Sequence, residues 1–163
     1  MSIQHHQFTF KISPRFFGFP WRQLLSGTYP SDDRPAIYFY SVVDEQDGAP
    51  APFYIGQRIK ASRLSRTGSL RHYKRWWKRY SNKEIRCDVF SIHPRHFQAH
   101  LPKQESAMKL YSIEYLTARL LQRSQRPQKP LKENRGFQFT FAWLEAGDVR
   151  SIATQISKAC NHH

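Results

Sequence analysis

Two short runs rich in β-branched and aromatic residues constrain this chain more than any other feature: Pro35-Ala36-Ile37-Tyr38-Phe39-Tyr40-Ser41-Val42-Val43 and Pro52-Phe53-Tyr54-Ile55-Gly56. Such residues fit the pleated surface of a sheet better than a helix. Between the runs lies Asp44-Glu45-Gln46-Asp47-Gly48-Ala49-Pro50, a polar stretch whose Asp-Gly pair favours a turn. The pattern predicts a hairpin with Tyr38 and Tyr54 on adjacent strands. Most tyrosine pairs in hairpins only pack across strands, so any chemical role depends on the residues that surround them.

The segment after the hairpin is strongly basic. Residues 1–57 carry four Lys/Arg against five Asp/Glu, whereas residues 58–86 carry eleven Lys/Arg against Glu84 alone, within a formal net charge of +14. A stripe of that kind is the electrostatic footprint of a phosphate-binding surface, and counterion release makes such binding weaken with salt. Arg58, Lys60, Arg66, Arg71, Lys74, Arg75 and Lys78 are the candidate nucleic-acid contacts. A solubilising face or an RNA contact has the same composition, while a small-molecule enzyme with a neutral surface is disfavoured.

The 163 residues suffice for one domain with a single core, and the 15% aromatic content argues against wholesale disorder. Cys87 and Cys160 have neither metal-ligand nor disulfide-framework spacing and read as ordinary thiols in a reducing cytoplasm. No stretch approaches the roughly 20 apolar residues of a membrane span. Met1-Ser2-Ile3-Gln4-His5-His6 lacks the charged and apolar regions of a signal peptide.

Along the chain, residues 7–12 alternate apolar and polar and predict a strand; 21–25 suggest one or two helical turns. Leu70, Tyr73, Trp77 and Tyr80 recur at helical spacing with cations largely on the other side. Residues 84–92 predict a third strand, ended by Pro94. An amphipathic helix is expected from about Ser106 to Arg123. A Pro-rich basic loop over 126–136, a last strand over 137–143, and a terminal helix from Val149 to Cys160 capped by Asp148 complete the expected order. Gln-Phe-Thr-Phe occurs at both 7–10 and 138–141, so two strands from opposite ends of the chain could lie side by side.

Ala36-Ile37-Tyr38 and then Tyr54-Ile55-Gly56 resembles the GIY-YIG nuclease superfamily over about residues 35–135, with Ala at the first motif position where the family usually has Gly. The resemblance implies an α/β (α+β) fold: a small antiparallel or mixed sheet flanked by helices, here with extra strands from the terminal extensions, 1–34 and 136–163. It also implies an active site of Tyr38, Tyr54, an arginine, His72, a metal-binding glutamate and Asn134. Arg63, nine residues beyond Tyr54, matches the family arginine, with Arg58 and Arg66 as alternatives; Glu114 matches the glutamate, with Glu105 as the alternative. His72 lies nine residues after Arg63, where many members show four.

Phosphodiester cleavage needs a water nucleophile, neutralisation of the phosphoryl oxygens and stabilisation of the leaving 3′ oxygen. On this reading Tyr38 and Tyr54 activate and orient water, Arg63 meets the scissile phosphate, Glu114 holds one Mg²⁺ or Mn²⁺, and His72 assists proton transfer. A free tyrosine titrates near 10, so the basic stripe would have to lower that value for either phenol to act as a base. His93, His96 and His100 fall at helical spacing but enclose Pro94, which favours exposed histidines over a zinc site. Of Trp76 and Trp77, at least one is expected in the core and the other could stack on bases.

The expected function is that of a metal-dependent DNA endonuclease, restriction-type or stand-alone, acting on double-stranded DNA rather than RNA, with a homodimer as one route to two cuts on a two-fold site. The alternative is a non-catalytic nucleic-acid-binding protein that keeps the fold and the basic groove.

Overall fold

The computed structural model describes residues 3–11, 26–27, 33–43, 52–59, 83–97, 103–125 and 141–161. Five strands appear in chain order: β1 (Ile3–Lys11), β2 (Ser26–Gly27), β3 (Ala36–Val42), β4 (Pro52–Arg58) and β5 (Glu84–Ile92). A 3₁₀ turn, Pro94–His96, leads towards helices α1 (Lys103–Gln125), α2 (Phe141–Glu145) and α3 (Gly147–Asn161). The strands form one sheet in the order β2-β1-β5-β3-β4, with every neighbouring pair antiparallel. The fold is α+β, with β1 as the extra N-terminal strand.

Strand alternation divides the sheet into two chemically different faces. Ile37, Phe39, Ile55, Phe90 and Ile92 turn towards the helices, where they join Leu110, Ile113 and Leu121 of α1 and Val149, Ile152 and Ile156 of α3 in one cluster. Burying a side chain of this size is worth about 1.5–3 kcal/mol, so this layer carries much of the folding free energy. The α3 positions keep the i, i+3, i+4, i+7 pattern of a helix with one apolar stripe. The opposite face presents Phe8, Tyr38, Tyr40, Tyr54 and Val89, all buried.

At the N-terminus, β1 begins four residues before the alternating segment. Its polar start, Gln4-His5-His6-Gln7, pairs residue for residue with β5. His5 stacks on Phe90 with ring centroids 4.6 Å apart, and its Nε2 lies 2.8 Å from Asp88 Oδ1. Cross-strand partners therefore extend a segment whose own composition does not favour a strand.

The C-terminal end differs from expectation. Of the strand expected over 137–143, residues 141–143 lie in helix α2 and 137–140 lie outside the described residues. Alternation ends at Phe141; Ala142, Trp143, Leu144 and Glu145 complete a helical turn that sets Trp143 and Ala146 against the core. The expected pairing of 7–10 with 138–141 is likewise not found for the described part: Phe8 and Thr9 pair with Gly27 and Ser26 on one side and with β5 on the other. The expected helical turns at 21–25, the basic helix at 70–80 and the loop at 126–136 lie outside the described residues. No helix among the described residues is long and apolar enough to cross a membrane.

Candidate active site

The β3–β4 register places Tyr40 opposite Tyr54 and Tyr38 opposite Gly56, which makes Tyr38 and Tyr54 diagonal neighbours on one face. Their ring centroids are 6.2 Å apart, and each phenol feels the other electrostatically. Gly56 is what lets Tyr38 lie across β4: a Cβ on Gly56 would overlap the Tyr38 ring and hydroxyl. Pairing then steps from Tyr40↔Tyr54 to Ser41↔Pro52, one residue of β3 against two of β4. The bulge turns Phe53 to the same side, where it stacks on Tyr40 at 6.4 Å.

Tyr40 is the residue that sequence reasoning passed over. It stands edge-on to Tyr38 at 5.4 Å and stacks on Tyr54 at 6.1 Å, a buttress for both. Its i+2 spacing from Tyr38 was the available signal; the bulge at Phe53 left none.

Two charged groups act on the tyrosines. Arg58 continues the alternation of Tyr54 and Gly56, so it shares their face, and the Arg58 Nε is buried without a hydrogen-bond partner among the described residues. Glu114, on α1, is fully buried. Although α1 packs on the aliphatic face, it touches the outer strand β4, and the Glu114 carboxylate comes within electrostatic reach of both phenols. Its Oε2 accepts no hydrogen bond from the described residues.

Burial, then the Glu114 carboxylate, push the Tyr54 phenol up to about 12, against the opposing effects of the Tyr38 hydroxyl and the Arg58 guanidinium. Burial, then Tyr54, hold Tyr38 well above the ordinary tyrosine value, with Glu114 and Cys87 adding to the effect and Arg58 opposing it. Tyr40 is raised by burial and then by Cys87, whose own thiol is raised by burial and Asp88. The expected lowering of the tyrosines by surrounding cations therefore does not occur among the described residues. Arg58 acts in that direction and desolvation outweighs it. At neutral pH these phenols are protonated groups that donate and accept hydrogen bonds.

Glu105, the alternative metal ligand, is engaged elsewhere: Trp143 Nε1 donates to its Oε2 at 3.1 Å. His93 Nδ1 accepts from the Arg95 amide at 3.1 Å, and His96 Nδ1 lies 3.6 Å from Asp148 Oδ2. No cluster of three or more His, Cys, Asp or Glu side chains suited to a metal occurs among the described residues. The donor set beside the tyrosines is a single carboxylate with phenolic oxygens. The carboxylate is a hard ligand of the kind that would suit Mg²⁺ or Mn²⁺, while the protonated phenols would hydrogen-bond to metal-bound water or phosphate. Arg63, His72 and Asn134, like Lys60, Arg66, Arg71, Lys74, Arg75 and Lys78, lie outside the described residues, as do His100, Trp76 and Trp77.

No protein-family model, curated protein or solved structure matches the chain.

Proposed function

We propose that this chain is a metal-dependent DNA endonuclease of the GIY-YIG type that hydrolyses phosphodiester bonds. The observation that carries the reading is the diagonal pair of Tyr38 and Tyr54 on one sheet face, ring centroids 6.2 Å apart, with Arg58 on the same face and the Glu114 carboxylate within electrostatic reach. Hydrolysis forms a bond from water oxygen to phosphorus, breaks the bond to the 3′ oxygen and delivers a proton to that oxygen.

Protonated phenols suit a share of this work: they orient the attacking water and donate hydrogen bonds to oxygens that gain charge. Arg58 stands where a guanidinium can neutralise a phosphoryl oxygen, a role that Arg63 or Arg66 would share or replace. Glu114 would hold Mg²⁺ or Mn²⁺, which when bound supplies Lewis-acid polarisation and lowers the pKa of coordinated water. His72 and Asn134 complete the set that the motif order implies. The basic stripe of residues 58–86 suits double-stranded DNA, read by the domain itself or by a homodimer, in the cytoplasm.

The second reading, a nucleic-acid-binding protein without catalysis, is favoured by one observation: Tyr38, Tyr54 and Glu114 are 6%, 4% and 0% exposed, a closed arrangement that a phosphate would have to open. Nicking of supercoiled plasmid by the purified full chain tests the choice. The nuclease reading expects conversion to open-circle and linear forms with Mg²⁺ or Mn²⁺ and none in EDTA. Binding of plasmid without cleavage over a range of Mg²⁺ and Mn²⁺ concentrations would leave the binding reading.

A further inference from the structure

The tyrosine face continues past Tyr38 towards the middle of the sheet. Registers of adjacent pairs put Arg58, Ala36, Ser91 and Gln4 in one row across β4, β3, β5 and β1, and put Gly56, Tyr38, Val89 and His6 in the next. Ser91 thus lies between the row mates Ala36 and Gln4, diagonal to both Tyr38 and His6. Ala36, which separates Arg58 from Ser91, has a side chain of one methyl group.

Three polar atoms along these rows are buried and make no hydrogen bond among the described residues: Arg58 Nε, Ser91 Oγ and His6 Nε2. Buried polar groups in native proteins are nearly always satisfied, and an orphan costs folding free energy unless something else serves it. A concentration of three on one face, beside the candidate active site, asks for a common partner. All three groups can donate a hydrogen bond, and the described strand residues of this face include no carboxylate. The partner is therefore rich in acceptors and negatively charged. Ser91 is fully buried, whereas His6 and Arg58 each keep part of their surface open, which gives such a group a way in.

We propose that Arg58, Ser91 and His6 form an anion subsite that takes a DNA phosphate neighbouring the one held at Tyr38 and Tyr54. The inference rests on the nuclease reading for the identity of the anion and adds to it a direction: the strand runs across the sheet from β4 towards β1. Ser91 and His6 fix where the DNA backbone lies and do not act on the reacting bond; Arg58 is shared between this phosphate and the one at Tyr38 and Tyr54.

Ser41 supplies an internal control, because its Oγ is also buried without a hydrogen bond among the described residues but points to the opposite, aliphatic face. The test measures binding of a short DNA duplex to the full chain by fluorescence anisotropy in EDTA. Ser91→Ala should weaken binding about ten-fold, the scale of a hydrogen bond to a charged group, while Ser41→Ala leaves it unchanged. Arg58→Lys should also weaken it, since the charge is kept but the planar donor fork is removed. Equal affinities for Ser91→Ala and Ser41→Ala, or no DNA binding by the wild-type chain, would overturn the subsite and leave Ser91 an orphan or a water site. The nuclease reading fails separately: an uncleaved plasmid together with weakened binding by Ser91→Ala keeps the subsite and removes catalysis. Cleavage that Ser91→Ala leaves intact, with unchanged binding, does the reverse.

Discussion

Gly56 faces Tyr38 across the β3–β4 pair, and the ring fills the space that a side chain at 56 would need. Gly56→Ala must therefore displace the phenol, at a cost of about 1–3 kcal/mol for an overpacked site. The cost should largely vanish in a Tyr38→Ala background, and chemical denaturation of the four proteins of that cycle measures it. Tyr54 gives a second prediction. Its folded pKa, about 12, lies above the ordinary value near 10, so the unfolded chain releases this proton first. Stability conferred by the neutral phenol is complete below pH 10 and is lost as pH rises towards 12. Tyr54→Phe should flatten that alkaline decline in urea midpoints; an unchanged decline would place the titration at Tyr38, Tyr40 or the thiols.

At the scale of elements, the helical layer is fastened to the sheet's end by Lys109, almost fully buried on α1. Its Nζ donates to the His96 carbonyl after β5 and to Asp148 Oδ2 at the start of α3, and lies 5.2 Å from the Trp143 ring centroid. Lys109 and the Val149 amide, with a smaller effect from His96, hold the Asp148 carboxyl below the ordinary carboxylate range despite its partial burial. Lys109→Met should cost about 1–3 kcal/mol at pH 7, a value discounted for the partial exposure of Asp148. A depressed carboxyl stabilises above its unfolded pKa, and the benefit is lost as pH falls through the folded value. The variant's deficit should accordingly shrink in urea melts taken near pH 3. None of this clasp was legible in the sequence, because Lys109, His96 and Asp148 are brought together only by the packing of α1 and α3. The legible part is local: the hairpin, the third strand at 84–92 and both long helices announce themselves by alternation or helical spacing. The face shared by Tyr38 and Tyr54 was legible for the same reason, while the end of the strand-like 137–143 segment was decided by Trp143 and Ala146 meeting the core.

Across the whole molecule, the sheet separates an aliphatic layer that holds the fold from a tyrosine face that carries the candidate chemistry. The stripe of residues 58–86 begins at Arg58, on that second face. Charge on this scale predicts a salt dependence: Lys74→Gln with Lys78→Gln should reduce the slope of log affinity against log salt by about one for each phosphate no longer neutralised. An unchanged slope would make those lysines a solvated surface. The central claim turns on Glu114, the carboxylate within electrostatic reach of the two phenols. The direct measurement is single-turnover cleavage of plasmid DNA in Mg²⁺ by the wild-type chain and by Glu114→Ala, with DNA affinity in EDTA measured in parallel. The nuclease account predicts a loss of cleavage of at least about 10²-fold with affinity preserved; a Glu114→Ala chain that folds, binds and cuts as fast as the wild type would contradict it.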